Sequence, residues 1–278
     1  MMALNLDTVG KKLQPMTFEY TDRDVMLYAL GIGAGVDELG FTFEKELKVL
    51  PTFAVVPAFP ALASMVGVLQ VNPLMLLHGE QRIELRKPIP ASGKLITTPT
   101  IRAIYDKGSG ALIVVDAETA DEQGEVLFLN TFAAFVRGEG GFGGDRGPSG
   151  ARNVPPERDP DAVVEMPTLS QQALIYRLSG DRNPLHADPD FAKMAGFDRP
   201  ILHGLCTFGH VGRAILHKFC DGQPERFKDF EARFSGVVFP GDTIITEMWK
   251  ENGGKIIVRA KTQGGDAVLG NAAATVAT

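Results

Sequence analysis

Leu205, Phe208, Val211, Ile215 and Phe219 recur at steps of three and four, the spacing of a helix that turns an apolar face to a core. Gly204 stands at its start, where a ligand can approach the backbone closely and an N–H lies at the positive end of the helix dipole. A second apolar run, from Phe53 to Leu77, carries no charged residue and is long enough to raise the question of a membrane span. Pro57, Pro60 and Pro73 weigh against a span. Ala61 to Val71 is expected instead to be the buried central helix of the first half, with Pro57 and Pro60 near its start.

The remaining apolar stretches are short, glycine-punctuated and duplicated. Lys87-Pro-Ile-Pro90 followed by Gly93-Lys-Leu-Ile-Thr-Thr98 matches Val237-Val-Phe-Pro240 followed by Gly241-Asp-Thr-Ile-Ile-Thr246. Ala111-Leu-Ile-Val-Val115 answers Lys255-Ile-Ile-Val-Arg259, and Asn130-Thr-Phe-Ala-Ala134 answers Asn271-Ala-Ala-Ala-Thr275. The offset of about 140 to 150 residues is too long for a solenoid and right for a duplicated domain. The expected organisation is a first unit over 1–137, a glycine- and proline-rich connection over 138–165, and a second unit over 166–278. Within the connection, Gly138-Glu-Gly-Gly-Phe-Gly143 formally matches a dinucleotide fingerprint. It runs into further prolines rather than a helix that would receive a pyrophosphate, so no nicotinamide cofactor is implied.

The chemistry is concentrated in Tyr176-Arg-Leu-Ser-Gly-Asp-Arg-Asn-Pro-Leu-His186. Pro184 biases Asn183 away from helical backbone, so a helix ending near Leu178 must give way to a loop. A loop lets Asp181, Asn183 and His186 converge, which neither a strand nor a helix does at this spacing. Together they can hold one water molecule, take a proton from it and return one to a nearby carbon. The plainer alternative makes Asp181 and Asn183 turn residues and His186 a core histidine. Asp188-Pro189 then caps a short helix over 190–195 that ends at Gly196.

With Phe191-Ala, Ala195-Gly-Phe and Pro200-Ile-Leu-His-Gly-Leu-Cys-Thr-Phe208, this run resembles the signature of the MaoC-like (R)-specific enoyl-CoA hydratases, more narrowly the hydratase 2 unit of peroxisomal multifunctional enzymes. Tyr28-Ala-Leu-Gly-Ile-Gly33, Leu50-Pro-Thr-Phe53, Leu77-His-Gly-Glu-Gln81, Lys107-Gly-Ser-Gly110 and Gly140-Gly-Phe-Gly-Gly144 extend the match over nearly the whole chain. The resemblance implies an α+β double hot dog, two long helices each wrapped by a curved antiparallel sheet. It implies that Asp181 and His186 are the acid/base pair, that Asn183 places the water, and that the Gly204 N–H binds the thioester oxygen. It also implies that His78, Gly79, Lys107, Arg182, Pro184, Leu185 and Phe234 contact an acyl-CoA substrate. Coenzyme A is then part of the substrate and no separate cofactor is needed. A 3-hydroxyacyl-CoA dehydrogenase acting in sequence is an implied partner.

Tyr28-Ala-Leu-Gly-Ile-Gly33 aligns with Tyr176-Arg-Leu-Ser-Gly-Asp181, yet no Asn-Pro-x-His follows it, so only the second half is expected to be catalytic. Family analogy implies that losing the first site made room for a long or bulky acyl chain. Two rivals are another hot-dog enzyme, an acyl-CoA thioesterase that would release free thiol, and a non-catalytic acyl-CoA binding module.

The chain of 278 residues can bury two cores or one fused core. A formal net charge of −6 argues against a general nucleic-acid role, while a few cations such as Lys107 or Arg233 suffice for the phosphates of coenzyme A. Cys206 and Cys220, both on the expected second helix, are too far apart to bridge and point to a reducing or redox-neutral compartment. His203, His210 and His217 recur every seven residues. Neighbours so spaced lie about 10.5 Å apart along a helix and cannot share a metal ion. A stripe partly facing solvent or a subunit contact is expected, with no metal. The first residues lack signal-peptide blocks and the end lacks a Ser-Lys-Leu address, which makes the cytoplasm the expected compartment, with the peroxisome as the alternative. A homodimer is expected from the edge pairing common among hot-dog proteins.

Overall fold

The computed structural model describes residues 4–72, 75–150 and 152–277. Pro73 and the outer limits of the expected units, residues 1–3 and 278, lie outside them. The first half runs β1 (Met16–Tyr20), α1 (Asp22–Gly31), α2 (Leu39–Thr42), a 3-10 turn at Pro51–Ala54, α3 (Val55–Ala58), α4 (Pro60–Leu69), β2 (Leu76–Leu85), β3 (Gly93–Asp106), β4 (Gly110–Ala120) and β5 (Val126–Arg137). The second runs β6 (Ala162–Pro167), α5 (Gln172–Tyr176), α6 (Pro189–Met194), α7 (Gly204–Phe219), β7 (Phe227–Phe234), β8 (Thr243–Lys250), β9 (Lys255–Thr262) and β10 (Ala267–Val276).

All ten strands belong to one sheet, in the order β1-β3-β4-β5-β2-β7-β10-β9-β8-β6. Read outward from the centre, the two halves list equivalent strands, and the duplicated segments fall on β3/β8, β4/β9 and β5/β10. The halves meet where β2 pairs antiparallel with β7, Ile83 opposite Phe230. Both of those side chains are fully buried, so the seam is part of the core rather than a wet edge. The connection is tied down at both ends. Asp106 accepts the N–H groups of Gly108, Gly141 and Gly143, which places the fingerprint-like glycines around a carboxylate and before no helix. Further on, the N–H groups of Arg152 and Asn153 are held by Asn271 Oδ1. The segment Ala162–Pro167, partly assigned by sequence to the connection, is already the edge strand β6 against β8. Its alternating half-buried and exposed positions are what a one-sided edge strand shows.

Helix α7 is buried without interruption from Leu205 to Leu216, because one face meets the second sheet and the other meets the first half. Gly209 and Gly212 make the second contact possible. A Cβ on Gly209 would lie 2.5 Å from Ile32 Cγ2, and one on Gly212 would collide with Thr52. Gly209→Val is therefore expected to cost about 2–3 kcal/mol of stability, read as a lower denaturation midpoint.

The first-half helix differs from the expectation for residues 61–71. It is a broken rod from Pro51 to Leu69, with Pro57 inside α3 and Pro60 opening α4, and its deeply buried part lies upstream, over Pro51–Ala58. Within α4 only Ala61, Met65 and Leu69 are buried, while Val68 is 39% exposed. The rod spans 19 residues at a mean hydropathy of 1.9, enough by length and composition to cross a membrane. Phe53, Ala54 and Val55 nevertheless belong to the same core cluster as α7, which identifies it as a core rod.

Candidate active site

The loop between α5 and α6 takes the shape that its glycine and proline dictate. After α5 a 3-10 turn covers Arg177–Ser179, and Gly180, at φ +132, reverses the chain where a side chain would be strained. Asn183 is extended before Pro184, as the proline ring requires, and Pro184–His186 form a second 3-10 turn. Asp188 caps α6 by accepting the N–H groups of Asp190 and Phe191.

This loop brings Asp181 and His186 together as expected, and adds a third group that the sequence reading placed elsewhere. One carboxylate oxygen of Asp181 and one ring nitrogen each of His186 and His203 lie within 4.8 Å of one another. The imidazoles of His186 and His203 are stacked, with centroids 3.7 Å apart and planes 26° apart. His186 Nδ1 lies 2.9 Å from the Ile201 carbonyl. A carbonyl only accepts, so Nδ1 carries the proton and Nε2 presents a lone pair. Burial lowers the His186 pKa, Arg177 adds to that, and the Ile201 carbonyl and the Asp181 charge oppose it. One nitrogen of each ring already meets a backbone carbonyl, Ile201 for His186 and Asp181 for His203.

Asn183 divides its side chain between both readings of the loop. Its Oδ1 accepts the Leu185 N–H and closes the turn. Its Nδ2 has no protein acceptor among the described residues, and the residue is exposed, so that amide is available to a water or substrate. Asp181 Oδ1 accepts the Asn183 N–H at 3.1 Å, which leaves its other oxygen free of the turn. Arg182 and Pro184 are exposed and Leu185 is half-buried, on the outer rim of this loop.

Gly204 opens α7 and is itself exposed, so its N–H, which has no intrahelical acceptor, faces accessible space. A Cβ there would sit 3.1 Å from the Phe234 ring. Phe234 in turn meets His78 edge to face, centroids 5.2 Å apart. Burial pushes the His78 pKa down to about 4, and its Nε2 is buried with no partner among the described residues. His78, Gly79 and Phe234 thus form one wall beside Gly204. From Gly79 and Phe234 a groove of about 410 Å³ crosses the outer face of the sheet past Arg102, Tyr105, Lys107 and Arg152. Asp181, Asn183 and His186 do not line it. Lys107 Nζ donates to the carbonyls of Arg146 and Pro148, and Arg233 pairs with Glu80 at 2.6 Å. The two cations proposed for phosphate are thus already engaged by protein groups.

The expected solvent-facing histidine stripe is corrected. His203 precedes α7 with extended backbone, φ −60 and ψ 136, and is 1% exposed inside the site. His210 is fully buried, and only His217 reaches the surface, where it meets Glu38. The sequence offered one signal for His203, its position directly before Gly204. Gly33 stands where Asp181 stands in the second half, and a Cβ on it would lie 2.8 Å from His210 Nε2 and 3.1 Å from the Arg213 guanidinium, so side chains of α7 occupy that one position.

Two family models divide the chain at the same place as the sheet: the MFE-2 hydratase 2 N-terminal domain matches residues 18–138, and the MaoC like domain matches residues 152–272. Among curated proteins, 3-hydroxyacyl-thioester dehydratase Y of Mycobacterium tuberculosis is 46% identical over 95% of this chain and 94% of its own. The probable enoyl-CoA hydratase 2 of Dictyostelium discoideum is 42% identical over 96% and 95%. The mouse peroxisomal multifunctional enzyme type 2 is 46% identical over 95% of this chain, which spans only 37% of that larger protein. The crystal structure of a MaoC-like dehydratase from Phytophthora capsici superposes with a TM-score of 0.89, at 35% identity and 99% coverage of both chains. The fold and its loop therefore define a double hot-dog enzyme of acyl-thioester chemistry. The chain belongs to the MaoC-like, hydratase 2 family.

Proposed function

We propose that the protein hydrates trans-2-enoyl-CoA to (3R)-3-hydroxyacyl-CoA, reversibly, as a hydro-lyase of fatty-acyl metabolism. The single observation that carries this reading is that an Asp181 carboxylate oxygen and a His186 ring nitrogen lie within 4.8 Å of one another, together with His203, the residue before Gly204. The thioester carbonyl accepts from Gly204, which draws electrons from the double bond and makes the third carbon electrophilic. A water held by the Asp181 carboxylate and Asn183 Nδ2 attacks that carbon while His186 Nε2 removes its proton. The imidazolium, stabilised by the Asp181 charge, then returns the proton to the second carbon. The addition is redox-neutral and its protons balance, so the scheme uses no cofactor beyond the coenzyme A of the substrate.

His78, Gly79 and Phe234 support the thioester end, and the groove past Lys107 is our candidate path for the coenzyme A body. Lys107 then acts through the strap it holds, residues 146–148, as much as through its charge. The reading is tested by following enoyl absorbance and resolving the product enantiomers. Free thiol without 3-hydroxyacyl product would establish the thioesterase alternative, and binding without any absorbance change would establish the binding module.

A relative in Neurospora crassa is named a hydratase-dehydrogenase-epimerase, which supports a 3-hydroxyacyl-CoA dehydrogenase as the next enzyme in sequence. A homodimer remains our proposal for the assembled state. Mouse and Arabidopsis relatives carry peroxisomal names, support for the peroxisome rather than for the cytoplasm expected first.

A further inference from the structure

His203 is bound to both members of the acid/base pair without facing the groove. Its ring stacks on His186, its Nε2 lies 3.1 Å from the Asp181 carbonyl, and its other face meets the buried Tyr176 ring at 5.0 Å. The carbonyl can only accept, so Nε2 carries the proton. Nδ1 is then a bare lone pair, buried with no partner among the described residues. A second proton there would place an unsolvated N–H cation against the His186 ring.

The charged and titratable groups around His203 are His186 and Asp181 from the loop, Tyr176 from α5 and Arg177 from the turn after it. Burial first, then His186, pushes its pKa down to about 3. At any pH at which the enzyme works, His203 is therefore an uncharged ring with one fixed donor.

We propose that His203 is a positioning residue: its ring is the floor that keeps the His186 imidazole in the plane where Nδ1 meets the Ile201 carbonyl and Nε2 is left for the substrate, and its N–H anchors the Asp181 backbone so that carboxylate and imidazole keep their spacing. This rests on the hydratase reading. The two functions are separable, because the floor needs a flat apolar ring and the anchor needs a donor.

His203→Phe keeps the floor and removes the anchor, whereas His203→Gln keeps a donor and opens the floor to water. For His203→Phe, kcat is expected to fall about tenfold or more with KM changed less than about threefold, since a small misplacement of a catalytic group is costly in rate. The acidic limb of its pH profile stays where the wild type has it. For His203→Gln the acidic limb is expected to move up by about one pH unit, as His186 regains water and titrates nearer its ordinary value. Imidazole nitrogen NMR of His186 at neutral pH gives a readout independent of turnover: the Nδ1–H tautomer dominates in wild type and in His203→Phe, and mixes with the other in His203→Gln.

If folded variants of both kinds retain the wild-type kcat, acidic limb and tautomer, or if kcat losses merely track a loss of folded protein, the proposal is overturned. Wild-type turnover of a trans-2-enoyl-CoA is measured first. Its absence would sink the hydratase reading itself, and its presence with unaffected variants would sink only the role of His203.

Discussion

Asp181→Asn is expected to fold normally and to hydrate trans-2-enoyl thioesters about a hundredfold to ten-thousandfold more slowly than the wild type. The fold survives because the amide keeps an oxygen that can accept the Asn183 N–H, the bond that shapes the loop. What is lost is the negative charge beside His186, which would otherwise stabilise the imidazolium formed as water attacks. His186→Gln loses the Nε2 lone pair and is expected to fall by a similar factor. Groups that act as a unit do not add, so the double variant should be little slower than the slower single one. Rates by enoyl absorbance, with folding checked by circular dichroism and retained product binding, separate chemistry from stability. A near wild-type rate in well-folded Asp181→Asn would remove the carboxylate from the mechanism.

The loop was legible because its features are local. Pro184 forbids helix at Asn183, Gly180 reverses the chain, and Asp188-Pro189 starts α6, so three neighbouring positions converge whatever the rest of the molecule does. The duplication was legible for a related reason, since glycine turns at the same offsets punctuate β3 and β8. His203 was missed because a seven-residue spacing carries helical meaning only if the backbone between is helical. The chain is extended at His203, and the first of the three histidines therefore leaves the face of the other two. The partial exposure of α4 was missed because an uninterrupted apolar composition gives no face to prefer. The filled space at Gly33 depends on His210 and Arg213, both far along the chain and recognisable only once α7 lies against the first half.

That same packing makes the protein acid-sensitive well above the carboxylate range. His210 is fully buried, with Nδ1 2.9 Å from the Cys206 carbonyl and Nε2 without a partner among the described residues. Burial first, then Arg213, pushes its pKa down to about 4, against the Cys206 carbonyl and Glu38. His78 is likewise held near 4 and His203 near 3, each first of all by burial. In the unfolded chain all three titrate at about 6.5, so above that pH neither state takes a proton and nothing is lost. Below it the unfolded state gains protons that the folded state refuses, and stability falls as pH drops from about 6.5 toward the folded values. At pH 5 each of these three histidines removes about 2 kcal/mol, roughly 6 kcal/mol in all. That corresponds to a fall of roughly 15 °C in melting temperature between pH 7.5 and pH 5. Glu38 adds nothing in this window. Burial raises its pKa, but the His217 and Arg213 hydrogen bonds and charges outweigh that and leave it lowered. Its contribution is lost only at pH values below about 4.3, where the unfolded carboxyl protonates. Melting curves of wild type and His210→Gln at the two pH values decide the matter. The variant, whose amide cannot titrate, should lose about a third of the pH dependence, and an equal loss in both proteins would show that the acid sensitivity arises elsewhere.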